Sequence, residues 1–138
     1  MNPSEARAHI LREHDRLREL LAAAETAAAR LLAGVDDADR FRGIVAELRT
    51  ALAEHNAHEE ALIEPMLAGV DAVAPLRIRR MVEEHAAEHA ALRAHLAGPE
   101  AEIAHRMSDL AEDLLAHMEA EERTFLHPRV LGDDTPRG

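Results

Sequence analysis

The chain contains no cysteine, tyrosine, tryptophan or lysine and only two phenylalanines. Without cysteine there is no thiolate metal site, no thiol nucleophile and no disulfide, a composition that fits a reducing compartment. Without tyrosine and tryptophan, base stacking, aromatic cages and tyrosyl radicals are largely excluded. No run of residues is long and apolar enough to span a bilayer, and no basic start leads into an apolar signal region, so a cytoplasmic location and no membrane partner are expected. Acidic residues number 27 against 16 basic ones, all arginine, for a net charge of -11. That balance argues against nucleic acid as a partner. Arginine without lysine, together with abundant alanine, reads as the product of a GC-rich bacterial genome.

Hydrophobic residues make up 47% of 138 positions, enough for one domain with its own core. Helix punctuation is regular. Asn2-Pro3-Ser4-Glu5 supplies an N-cap, a first-turn proline and a capping-box glutamate, and the apolar pattern then runs to about Leu32, before Gly34. Asp36, Asp37 and Asp39 offer caps for a second helix to about Pro65, with Gly69 beyond it. Pro75 opens a third helix that Gly98 closes, and Pro99 opens a fourth to about Leu126, ahead of Pro128. No strand-like alternation occurs. The expected fold is all-α, an antiparallel up-down-up-down four-helix bundle over residues 1–131, followed by a short polar tail, 132–138.

The apolar stripes mark the inward faces: Ile10, His14, Leu17, Leu21; Leu48, Leu52, His55, Glu59, Leu62, Met66; Ile78, Val82, His85, His89, Leu92, Leu96; and Met107, Leu110, Leu114, His117, Glu121, Phe125. Seven polar residues interrupt them: His14, His55, Glu59, His85, His89, His117 and Glu121. Burying one such group without a partner costs about 2–7 kcal/mol, whereas a whole domain is stable by about 5–15 kcal/mol. Either these groups satisfy one another or something binds them. Five imidazoles and two carboxylates are a poor self-satisfying set and a good metal-ligand set. Depth agrees: from the helix ends at Asn2, Pro65, Pro75 and Pro128, the five histidines lie roughly 10–14 residues in, about 15–21 Å along the bundle. An internal repeat agrees too. "LAEHNAHEEALIEP" (52–65) matches "LLAHMEAEERTFLHP" (114–128), and "EHDRLR" (13–18) matches "EHAALR" (88–93), so the chain reads as two helical hairpins meeting at a common centre.

His14, His55-x-x-x-Glu59, His85-x-x-x-His89 and His117-x-x-x-Glu121 resemble the ligand set of the hemerythrin-like (HHE cation-binding) family, in its bacterial form, over about residues 9–131. The resemblance implies a non-haem di-iron centre. His85, His89 and His117 would hold one iron and His14 and His55 the other. Glu59 and Glu121 would bridge them, with an oxo or hydroxo group as third bridge. The two-histidine iron would keep an open position for dioxygen, peroxide or nitric oxide. Oxygen-carrying hemerythrins end in His-x-x-x-x-Asp. Here Glu stands at the fourth place and Glu122 at the fifth, and Glu121 is preferred because it shares a face with His117. That departure resembles a subgroup associated with peroxide decomposition more than with oxygen carriage. Catalase-like chemistry is the first expectation. Reversible binding of dioxygen or nitric oxide, and an iron or redox sensor acting through an unnamed protein partner, stand beside it. Glu60 and Glu122 would serve the chemistry as proton relays if they turned inward.

Other polar residues read as ordinary. His9, His95, His105 and His127 lie off the stripes and are expected in solvent, and His58 sits at a helix edge. Glu60 and Glu122 are expected outside the ligand set, and Glu84 and Glu88 at the surface, with an outer hydrogen bond to a ligand imidazole open to them. "HAAEH" (85–89) matches a zinc-protease string, but Glu88 points away from the two-histidine face. The ferritin-like bundles need two Glu-x-x-His motifs, and only "EIAH" (102–105) fits.

Overall fold

The computed structural model describes residues 2–35, 38–70 and 75–123; of these, the side chains of residue 3, 62–70, 75–82 and 85 are not described. It contains four helices: α1 (Pro3–Leu32), α2 (Ala38–Val70), α3 (Pro75–His95) and α4 (Glu100–Arg123). No strand occurs among the described residues. Each helix packs on its sequence neighbour and α4 returns to α1, as an up-down-up-down bundle requires. No described helix is long and apolar enough to cross a membrane.

The ends form as their residues dictate. The Asn2 side chain accepts from the Glu5 N–H at 2.8 Å and the Glu5 carboxylate accepts from the Asn2 N–H at 3.1 Å, completing the capping box. At the other end of α1, Gly34 takes φ +73°, which lets its N–H reach Leu31 O (3.1 Å) and the Val35 N–H reach Arg30 O (2.9 Å). This paired closure needs a left-handed residue after the cap. The last turn of α3 is held from outside: Arg49 donates to Leu96 O, and Arg106 to His95 O and Ala97 O.

One boundary differs from expectation. α2 continues through Pro65 and Gly69 to Val70. A proline inside a helix removes a single N–H donor, which the long helix absorbs. The caps Asp36 and Asp37, the turn to Leu126, Phe125, His127, Pro128 and the tail 132–138 lie outside the described residues, as do the side chains of Leu62, Met66, Ile78 and Val82.

Core composition changes along the bundle axis. One apolar cluster joins Leu17 and Leu21 of α1, Phe41, Leu48 and Leu52 of α2, Leu92 and Leu96 of α3, and Met107, Leu110, Leu114 and Met118 of α4. Each such side chain contributes about 1.5–3 kcal/mol by leaving water. Immediately beyond this cluster, toward the α1 N-terminus, the same inward faces carry His14, His55, Glu59, His89 and Glu121, all buried. Ile10 and Ala6 of α1 are buried again beyond that layer.

Candidate metal centre

Residues four apart on a helix share a face. His55 and Glu59 therefore enter the core together from α2, and His117 and Glu121 from α4; His14 comes from α1 and His89 from α3. Their inward atoms converge. His55 Nε2 lies 2.5 Å from Glu59 Oε1, and His14 Nε2 lies 3.5 Å from the same oxygen and 3.3 Å from Glu121 Oε1. On the other side, His117 Nε2 is 3.3 Å from Glu121 Oε1 and His89 Nε2 is 3.6 Å from Glu59 Oε2. The rings of His14 and His55 meet edge to face at 4.8 Å between centroids, and those of His89 and His117 at 5.1 Å.

Two overlapping groups result, each with donor atoms within 4.8 Å of one another: His14, His55, Glu59 and Glu121, and His89, His117 and Glu121. Glu121 belongs to both, and Glu59 turns one oxygen to each. His85 lies one turn before His89 on α3, and its side chain is outside the described residues.

The donor set fits cations. Ligand atoms held about 2.0–2.2 Å from one ion stand about 2.8–3.6 Å apart, a spacing that the observed 2.5–3.6 Å overlaps. The Nε2 atoms of His14 and His55 are buried beside carboxylate oxygens without the alignment of a hydrogen bond. Two buried carboxylates in one layer demand positive charge. Burial opposes a charged His14, yet Glu121 and Glu59, with Glu122 behind, outweigh it and raise its pKa to about 9. His55 is also raised: burial opposes charge, Glu13 and Glu59 favour it, and the charge on His14 subtracts. The layer thus favours positive charge where cations would stand.

The outward ring nitrogens are held in a closed ring of partners. α1 gives Glu13 to His55 Nδ1 of α2 (3.2 Å). α2 gives Asn56 to His89 Nδ1 of α3 (3.1 Å). α3 gives Glu88 to His117 Nδ1 of α4 (2.5 Å), and α4 gives Glu122 to His14 Nδ1 of α1 (2.8 Å). Each partner is the sequence neighbour of an inward residue, rotated about 100° toward the next helix. It precedes that residue on α1 and α3 and follows it on α2 and α4, as antiparallel neighbours require. A carboxylate behind an imidazole keeps the proton on Nδ1 and turns the Nε2 lone pair inward. Arg18 donates to Glu122, and with His14 it holds that carboxyl below its ordinary pKa against the opposing effect of burial.

Asn56 differs because an amide can present either end. With its NH2 on Leu52 O (3.2 Å) and its oxygen on Arg93 (2.7 Å), it offers His89 Nδ1 a donor. A neutral His89 giving Nε2 to a cation carries its proton on Nδ1, so the amide must then turn its oxygen to the ring.

Six of the seven expected residues are therefore brought together. Glu122 stands outside the cluster behind His14, so Glu121 is the inward acid. Glu60 is exposed, and neither it nor Glu122 turns inward as the relay expectation required. Glu88 is exposed yet engaged with His117, and it does not join His89 as a protease motif would demand. Glu84, His95 and His105 are exposed as expected. Glu13 and Asn56 escaped the sequence reading, although the doublets Glu13-His14, His55-Asn56, Glu88-His89 and Glu121-Glu122 were the available signal. Glu122→Ala should weaken metal binding about 10–100-fold, the usual effect of removing an outer-sphere partner, with helicity unchanged. Competition against a coloured chelator measures it.

No curated protein and no solved structure matches the chain. A family model does, that of the hemerythrin HHE cation binding domain, over residues 6–128. That span covers α1 from Ala6, all of α2, α3 and α4, and the seven polar residues that interrupt the stripes, and the chain belongs to the hemerythrin HHE cation-binding domain family.

Proposed function

We propose that the chain holds two iron ions at His14, His55, Glu59, His85, His89, His117 and Glu121, and that the centre reacts with dioxygen or peroxide. The observation that carries this reading is the sharing of Glu59 and Glu121 between two groups of imidazoles, the arrangement two adjacent ions need. In the proposed assignment, His14 and His55 serve the ion with the open position, and His85, His89 and His117 serve the other. Mixed imidazole and carboxylate donors suit iron. Burial limits the ligand: His14 is 0% exposed, His55 2% and His117 9% on the side chain, so only a molecule of a few atoms reaches the layer. On the His117 side, a groove of about 400 Å3 between α3 and α4 leads to that ring.

Peroxide decomposition is the first reading. An iron pair held by these residues would supply two-electron exchange with peroxide, so disproportionation would need no outside reductant. The chain's part is to hold proton positions. Glu122 and Glu13 keep the His14 and His55 protons on the outer edge, where a shared proton can move without leaving a bare charge in the core. Reversible binding is the second reading. Its support is that Glu122 is engaged with His14 and Arg18 while Glu60 is exposed, so neither acid serves the interior. Adding peroxide to the oxidised iron protein and following oxygen separates the two. Sustained release supports the enzyme. A coloured adduct of the reduced protein with air, reversed under vacuum and without turnover, supports the carrier and overturns the first reading.

A further inference from the structure

Outside the buried layer, a second group of metal-ligating side chains meets on the face shared by α1 and α2. His9 and Glu13 stand four apart on α1, and His58 comes from α2. His58 Nδ1 lies 2.5 Å from Glu13 Oε2 and 3.4 Å from His9 Nε2, and His9 Nε2 lies 3.7 Å from Glu13 Oε2. The two rings meet edge to face at 5.1 Å. We propose that His9, Glu13 and His58 form an outer site for a divalent transition-metal ion, separate from the buried centre and joined to it through Glu13.

Geometry supports this first. Three donor atoms at those separations can all lie about 2.1 Å from one point, an ordinary metal-to-nitrogen distance. A helix-surface ion pair needs two residues of one helix; here α2 adds a third donor to an i, i+4 pair. Glu13 is also held in place. Its Oε1 meets His55 Nδ1 at 3.2 Å, which fixes its Oε2 toward His58 and His9. A donor fixed beforehand gives up less freedom on binding. Chemistry selects the ion. Two imidazoles and one carboxylate suit zinc, copper or nickel, whereas magnesium and calcium take oxygen ligands. The site is open to the medium, with side-chain exposures of 32% for His9, 19% for Glu13 and 46% for His58. His9 and Glu13 also line a groove of about 200 Å3, which leaves room for water to complete the coordination. A net charge of -11 draws cations toward the surface.

The test uses iron-loaded protein, freed of excess metal by gel filtration. Zn2+ is added in a calorimeter, and Cu2+ in parallel under electron paramagnetic resonance. The expected result is a single additional ion per chain and nitrogen couplings in the copper spectrum. His58→Ala and His9→Ala should each weaken this binding by about tenfold or more, since even outer-sphere partners of a metal act on that scale. Iron content and far-UV circular dichroism should stay at wild-type values, because both side chains lie outside the core. No additional ion, or an additional ion bound equally well by both variants, overturns the proposal. So does loss of iron in either variant, which would make these histidines part of the inner centre.

Discussion

Glu121→Ala is expected to empty both halves of the buried centre, whereas His14→Ala should empty only one. Glu121 Oε1 lies 3.3 Å from His14 Nε2 and 3.3 Å from His117 Nε2, so its loss removes an anionic donor common to both groups. It also removes one of two carboxylates that offset charge in the layer. His14 faces one group alone, and His89, with His117, stands in the other. In iron-loaded samples, His14→Ala should retain the ion of the His89/His117 half, and Glu121→Ala should retain neither. Metal analysis beside far-UV circular dichroism checks this. Equal losses of both ions and of helicity in the two variants would count against the division into halves.

Stability should respond to pH in opposite senses with and without metal. In the metal-free protein His14 has a pKa raised from 6.5 to about 9. A raised folded-state pKa stabilises fully below the unfolded value of 6.5 and is lost as pH rises through 9. The span corresponds to roughly 3–4 kcal/mol at about 1.4 kcal/mol per unit. His55 shifts in the same direction. Glu13 and Glu122 are lowered: burial works against this, but His55 and His58 hold Glu13 down, and His14 and Arg18 hold Glu122 down. Their contribution is present above 4.5 and lost on further acidification. The metal-free protein should therefore be most stable in mild acid and lose stability toward pH 9. With metal the order reverses, because cations need the imidazoles neutral and acid displaces them. Thermal melts between pH 6 and pH 9, with and without chelator, read both slopes. Parallel slopes, or a melting temperature indifferent to chelator, would contradict a site in the core.

The inner faces were legible because helical periodicity is a local property. Leu17 and Leu21, Leu48 and Leu52, and Leu110 and Leu114 stand four residues apart, and so do His55 and Glu59, His85 and His89, and His117 and Glu121. Capping at Asn2 and closure at Gly34 depend on residues within one turn and followed directly. The outer ring was not legible in the same way. Glu13 meets His55 and Glu122 meets His14 across helix interfaces, and which of two adjacent acids reaches the neighbour depends on helix direction and on the order of the helices around the bundle. His9 read as solvated and His58 as an edge residue for a related reason: each is unremarkable on its own helix, and only the packing of α1 on α2 joins them. Pro65 misled because a proline so often marks a boundary, while α2 runs past it.

Metal analysis of protein grown in iron-replete medium tests the central claim most directly. Two iron ions per chain are predicted, both released by chelator together with a fall in melting temperature. A single zinc ion per chain in place of the two irons would contradict the account.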